Sequence, residues 1–189
     1  IHDYPKIIAV SKTFKIDKIL PLIEHGHIDF GENKVQEAID KWDNLRETNS
    51  NIKLHMIGKL QTNKVRFAVK LFDFIHSVDS EKLAKKIAEE QAKINCNVKI
   101  FIQVNIGNEI QKSGIDQSAI QNLILFCKDL GLDVIGRRGR PPQKDYKFDV
   151  FYSFQQNLKT RRFYKCLEGC TCRCSFLREQ KKIGEPHPD

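Results

Sequence analysis

Lys12 is the residue of this chain whose position best suits covalent chemistry. It follows an apolar run of four residues, 7–10, and is flanked by Ser11 and Thr13. An uninterrupted apolar run is typical of a strand buried on both faces, which would put the lysine at the rim of a core. Partial desolvation there favours the neutral amine, which can attack an aldehyde to form a Schiff base. A surface lysine that merely follows a strand is the alternative, because the chain has 32 Lys and Arg residues.

Polar residues and glycine follow the other apolar segments in the same way. They are Glu32 with Asn33, Gly58, His76 with Ser77, and Asn105. In a barrel of βα units the active site lies at the carboxyl ends of the strands. These residues would therefore meet Lys12 on one face, which makes Lys12 a candidate site residue.

Hydrophobic periodicity predicts an alternation of strands and helices. The predicted strands are 6–10, 28–30, 53–57, 74–76, 98–104 and 132–135, and the helices are 16–25, 35–45, a stretch ending near Leu71, 80–94 and 116–130. This pattern predicts an α/β fold with a parallel sheet. Eight such units would close a TIM-type (β/α)8 barrel, and the six seen here predict an incomplete one. An open doubly wound sheet is the alternative, although no Gly-x-Gly-x-x-Gly follows the first strand.

Composition predicts a soluble chain in which residues 1–189 form a single domain. No apolar run approaches the roughly 20 residues that cross a bilayer, and no secretory signal opens the sequence, so we expect a cytoplasmic protein. The net charge is +8, but in the first 136 residues the basic residues alternate with acidic ones, which argues against nucleic-acid binding. Cys96 and Cys127 are expected to be small buried residues.

Several motifs occur in the order and spacing of one protein family. They are Ala9-Val10-Ser11-Lys12-Thr13, Phe30-Gly31-Glu32-Asn33-Lys34-Val35-Gln36-Glu37, His55-Met56-Ile57-Gly58-Lys59-Leu60-Gln61-Thr62-Asn63-Lys64, His76-Ser77-Val78-Asp79, and Gln103-Val104-Asn105-Ile106 followed by Lys112-Ser113-Gly114. Together they resemble the pyridoxal phosphate homeostasis proteins, whose fold is similar to the N-terminal barrel of alanine racemase. The resemblance covers about residues 6–136.

The resemblance implies that Lys12 holds pyridoxal 5′-phosphate (PLP) as a Schiff base. Asn33 would support the ring side of the cofactor, and Ile57 and Ser77 would line the pocket. The family is regarded as monomeric carriers or regulators of vitamin B6 supply, with PLP-dependent enzymes as clients and no established catalysis. A racemase-like enzyme is the first alternative, but it would need a second base opposite Lys12, for which Tyr152 is the candidate.

The second alternative is a basic nucleic-acid-binding module. It would use five arginines in the C-terminal part of the chain: Arg137, Arg138, Arg140, Arg161 and Arg162. Such binding would weaken steeply with added salt.

After Gly136 the sequence departs from the family pattern. Arg137-Arg138-Gly139-Arg140 is unsuited to a buried strand end, and the last strands, which form the phosphate cup in the family, look degenerate. Arg173 and Ser175 are the candidate remnants of that cup. A frameshift or sequencing error over 137–189 would explain the change. Without these strands, and without the helix that precedes the first strand in relatives, we expect a chain that folds poorly and binds PLP weakly or not at all.

Four cysteines crowd into this atypical segment. They are Cys166, Cys170, Cys172 and Cys174. A zinc site is the alternative to a misread sequence, but structural zinc sites typically pair their ligands as Cys-x₂₋₄-Cys. The Cys-x₃-Cys-x-Cys-x-Cys spacing puts the ligands too close to surround one ion, so no metal site is predicted.

Overall fold

The computed structural model describes residues 7–105, 113–140, 150–153 and 164–166, with the backbone alone for Arg140 and the last two segments. The strands are β1 Ile8–Val10, β2 Asp29–Glu32, β3 Lys53–Met56, β4 Phe74–Val78, β5 Lys99–Asn105, β6 Asp133–Arg140, β7 Val150–Ser153 and β8 Tyr164–Cys166. The helices are α1 Ile16–Glu24, α2 Val35–Thr48, α3 Val65–Leu71, α4 Glu81–Ile94 and α5 Ile120–Asp129, with 3-10 turns at Thr62–Lys64 and Gln117–Ala119. None of these helices is long and apolar enough to span a membrane.

The eight strands form one sheet in the order β7-β6-β5-β4-β3-β2-β1-β8. Neighbours from β8 through β6 are parallel, and each of β1 to β5 is joined to the next strand through a helix. The predicted α/β architecture of an incomplete barrel is confirmed, since β7 and β8 stand at opposite ends of the described sheet. Hydrophobic periodicity predicts six strands, and the structure adds these two.

β7 breaks the parallel pattern by pairing antiparallel with β6. Antiparallel pairing agrees with chain length, because fewer residues separate Arg140 from Val150 than the dozen or so that a parallel crossover needs. The expectation that the arginine-rich segment is unsuited to a buried strand end is wrong, because β6 continues through it to Arg140 and Arg138 is buried there.

Two apolar layers enclose the sheet. The larger lies between strands and helices and includes Phe30 of β2 and Trp42 of α2, whose ring centroids are 4.9 Å apart. The smaller lies inside the curved sheet and joins Ile8 and Val10 to Phe101 and Ile135. Since Ala9 belongs to the outer layer, β1 alternates between the two faces as a strand buried on both sides should.

The fourth strand is longer than its apolar pattern predicts. The sequence places His76 and Ser77 at its end, but β4 runs to Val78 and His76 is fully buried. His76 therefore belongs to the inside of the sheet, where aromatic rings surround it, and not to the rim. The prediction ends the strand at His76 because a second polar residue, Ser77, follows it, but the structure continues the strand through Ser77 to Val78.

Cys127 lies fully buried in α5. Burial raises the pKa of its thiol to about 11, and the nearby charge of Glu81 adds to the rise. Because the thiolate is the reactive form, we expect iodoacetamide at about pH 8 to leave Cys127 unmodified in the folded protein and to modify it in urea. Peptide mass mapping measures this; equal labelling in both states would contradict it.

The same shift makes Cys127 a source of alkaline sensitivity. The folded state favours the neutral thiol, so the stability contributed by this group is fully present below its ordinary pKa of 9.0. That stability falls as the pH rises from there through about 11, because the unfolded chain then releases a proton that the folded chain retains.

Candidate functional site

Lys12, Asn33 and Ile57 follow the ends of three neighbouring strands, β1, β2 and β3. The register pairs Val10 with Gly31 and Glu32 with Met56. Continued past the ends of the strands, the same register puts these three positions at a similar height. The cleft that Lys12 lines includes neither Asn33 nor Ile57, and Asn33 lines a separate cleft. This site row (Lys12, Asn33 and Ile57) stands at the carboxyl ends of β1, β2 and β3, where the sequence predicts a site.

The surroundings of Lys12 differ from expectation. Its side chain is exposed, so the partial desolvation expected at a strand end is not found. Lys12 lines an open cleft of about 500 Å³ that also includes Lys15 and, from α2, Glu37 and Asp40. The amine is therefore accessible from solution.

Asn33 and Gly58 touch through their backbones. A Cβ placed on Gly58 would lie 2.7 Å from both the Cα and the carbonyl carbon of Asn33, and still closer to its oxygen. The amide of Ile57 donates a 2.8 Å hydrogen bond to the carbonyl of Glu32. The ends of β2 and β3 are thus held together at the level of the site row by a contact that glycine alone permits.

Glu32, the last residue of β2, holds the backbone next to the site row through hydrogen bonds. It is fully buried, and its Oε1 accepts hydrogen bonds from Ser11 Oγ at 2.8 Å, Lys41 Nζ at 2.8 Å and Trp42 Nε1 at 2.9 Å. Lys41 Nζ also donates to the carbonyl of Ser11 at 2.7 Å. Because Ser11 immediately precedes Lys12, this Glu32 network fixes the backbone from which the candidate lysine extends. The sequence motifs assign Glu32 no role beyond its strand-end position.

Ser77 lies in an irregularity of β4. Ile75 pairs with Ile100 and Val78 with Ile102, so His76 and Ser77 together oppose a single residue, Phe101. Bulges of this kind redirect side chains and are frequent next to active sites. Ser77 is 3% exposed, and its Oγ has no hydrogen-bond partner among the described residues.

A buried polar chain runs inside the sheet below the site row. His55 Nε2 lies 3.0 Å from Asp29 Oδ1, and His55 Nδ1 lies 2.9 Å from His76 Nε2. His55 stacks on Phe74 and His76 on Phe101, each with 4.3 Å between ring centroids. The sequence signal for this buried polar chain is the two-residue alternation of side chains along a strand, because Asp29 and His55 occupy the inward positions of β2 and β3.

Arg138 extends from β6 toward the same row. It is 6% exposed, and its Nη1 donates a 2.5 Å hydrogen bond to the carbonyl of Ile57. The nucleic-acid-binding alternative counts Arg138 among its surface arginines. Its burial overturns that assignment for this residue.

The other predicted positions fall outside the side chains that the structure describes. The structure describes nothing of Arg161, Arg162, Arg173 and Ser175. It describes the backbone alone of Arg140, Tyr152 and Cys166. Among the described residues no group of three His, Cys, Asp or Glu could hold a metal ion.

Comparison with protein families identifies the fold. Residues 2–166 match the family model described as alanine racemase, N-terminal domain. This match continues past Gly136, where the sequence motifs of the family end. An alanine racemase of Clostridium difficile, 18% identical, has a TM-score of 0.60 over 77% of this chain and 38% of its own, a likeness of fold alone.

More similar proteins carry a different description. A pyridoxal phosphate homeostasis protein of Buchnera aphidicola is 40% identical over 135 residues, 69% of this chain and 57% of that protein. One from Escherichia coli is 35% identical over 125 residues, 66% of this chain and 53% of that protein. The chain thus spans little more than half the length of these curated relatives.

A solved structure of PipY from Synechococcus elongatus with PLP bound has a TM-score of 0.67 at 33% identity, over 74% of this chain and 64% of that one. The same protein without PLP gives a TM-score of 0.70. The chain therefore belongs to the alanine racemase N-terminal domain family, within which it is similar to the pyridoxal phosphate homeostasis proteins.

Proposed function

We propose that this chain binds PLP at the site row and holds it as a Schiff base on Lys12. The observation that carries the proposal is an accessible lysine amine just beyond β1, with Asn33 and Ile57 just beyond the neighbouring strands β2 and β3. The similarity to PipY, solved with PLP bound, supports the choice of cofactor.

The described residues fit such a cofactor. PLP supplies an aldehyde for the lysine and carries a phosphate that needs N–H donors and positive charge. The buried Ser77 Oγ without a partner in the described chain and the buried Arg138 guanidinium offer polar contacts near the row, and Ile57 offers an apolar wall. Arg173 and Ser175, which lie outside the described residues, remain proposed contacts of the phosphate.

The role we propose is carriage or regulation of the cellular PLP supply without catalysis, by a cytoplasmic monomer that serves PLP-dependent enzymes. The names of the relatives, which refer to homeostasis and not to a reaction, support this role. A racemase would need a second proton-transfer group opposite the lysine. Incubation with L-alanine and PLP is therefore expected to leave the optical activity unchanged.

Lys12→Ala is the test of the binding site. With added PLP, the parent protein is expected to show the visible absorbance of a protonated Schiff base, and Lys12→Ala is expected to lose it. Lys15→Ala is the matched control, because Lys15 is an exposed lysine of the same cleft. It should retain the band. A band that persists in Lys12→Ala, or is missing from the parent, would refute the proposal.

A further inference from the structure

Arg138 crosses the inside of the sheet to reach the site row. Its strand, β6, is separated from β3 by β5 and β4, yet its Nη1 bonds to the carbonyl of Ile57 at the end of β3. A side chain that spans two strands must pass over the open mouth and not along the sheet. The bond therefore holds the guanidinium beside the end of β3, next to Ile57 of the site row.

A one-residue bulge in β6 turns Arg138 toward the inside of the sheet. Ile100 pairs with Val134 but Phe101 pairs with Gly136, so Ile135 is an extra residue in β6. Beyond the bulge Arg138 pairs with Gln103, which alternates with residues of the outer layer and therefore faces inward. Without the extra residue, Arg137 would take the inward position, because a shift of one residue exchanges the two faces of a strand.

We propose that Arg138 binds the phosphate ester of PLP in the site row. This inference rests on the proposed function and adds a residue of β6 to it. A guanidinium carries five N–H donors in one plane, which match pairs of phosphate oxygens while another donor holds a carbonyl. Its charge persists at all physiological pH values, so it complements a phosphate dianion in a buried setting where an ammonium would adapt less well.

The test compares PLP with pyridoxal, which has the same aldehyde and ring but a hydroxyl in place of the phosphate. Dissociation constants for both are taken from the Lys12-dependent absorbance of the parent, Arg138→Met and Arg137→Met. We expect Arg138→Met to weaken PLP binding by about tenfold or more, the loss of one charge-assisted contact, and to change pyridoxal binding by less than about twofold. Arg137→Met, an exposed neighbour on the same strand, should leave both constants near those of the parent.

The outcomes separate the two proposals. Equal weakening of PLP and pyridoxal, unchanged constants, or tighter PLP binding by Arg138→Met would overturn the role of Arg138 alone; the last would show that Arg138 obstructs the pocket. The absence of a Lys12-dependent band with either aldehyde would overturn the proposed function and this inference together. Should Arg138→Met fail to give a cooperative melt, Arg138→Lys keeps the charge without the planar fork, and it is expected to show a reduced preference for PLP. A preference equal to the parent's would again refute the role.

Discussion

Gly58→Ala is expected to lower the melting temperature by about 6–12 °C and to abolish PLP binding. The added methyl would overlap the backbone of Asn33, directly after β2, and backbone atoms cannot rotate aside as a side chain could. Such overpacking costs about 3 kcal/mol, and in a chain of this size each kcal/mol changes the melting temperature by about 2–4 °C. Because the ends of β2 and β3 must separate, Asn33 would leave the level of Lys12. Thermal unfolding followed by circular dichroism and PLP titration measure the two effects.

Gly131→Ala is the control for this experiment. Gly131 has a φ of +73°, but nothing lies within 4 Å of the position that a Cβ would take there, so alanine costs backbone strain alone, about 1 kcal/mol. Gly58 carries no such positive φ, and its cost is steric. A Gly58→Ala melting temperature equal to that of the parent, or affected no more than in Gly131→Ala, would contradict the contact.

Glu32→Leu is expected to destabilise the protein by about 3–5 kcal/mol, the cost of removing one partner from a buried ion pair. Lys41, whose side chain is 12% exposed, would lose its counter-charge, and the Trp42 indole and Ser11 hydroxyl would lose their acceptor. Urea denaturation measures the loss. PLP binding should fall as well, since Ser11 would no longer be held beneath Lys12.

A double-mutant cycle tests whether the ion pair causes this effect. Lys41→Met removes the charge that Glu32→Leu leaves buried, so the double variant should recover part of the stability. Strictly additive losses would show that the Glu32 network acts through packing and not through charge.

The sequence predicts the repeating part of this fold and the strand-end position of Lys12 from local patterns, and the resemblance adds Asn33 and Ile57. An apolar run sets β1 and the centre of β5, and Ser11 and Asn105 mark the ends of these runs, whereas in β3 the alternation of Leu54 and Met56 with polar residues indicates the strand. Parallel strands then bring these ends to one edge of the sheet without any information on side-chain contacts.

The rest of the site depends on register and on distant partners. Arg138 faces inward only because β6 holds an extra residue at Ile135, which no local pattern indicates. From the sequence alone, Glu32 is interpreted as a loop carboxylate. Its partners, Lys41 and Trp42, come from α2 and are known only from the fold. His76 is buried because Phe101 of another strand stacks on it. Each of these assignments requires the tertiary structure.

The strand order also prescribes a sequence of assembly. Each pairing from β1 to β6 joins a strand to the next one along the chain, so every ladder closes over a short loop and can form as soon as its second strand has left the ribosome. The β1–β8 pairing joins Ile8 to Tyr164 and is the exception. It must wait for almost the whole described chain. β1, which precedes Lys12, is thus made before the other described strands but pairs with β8 last. Until then, the edge of β1 that faces away from β2 is open to chaperones or to wrong strand partners.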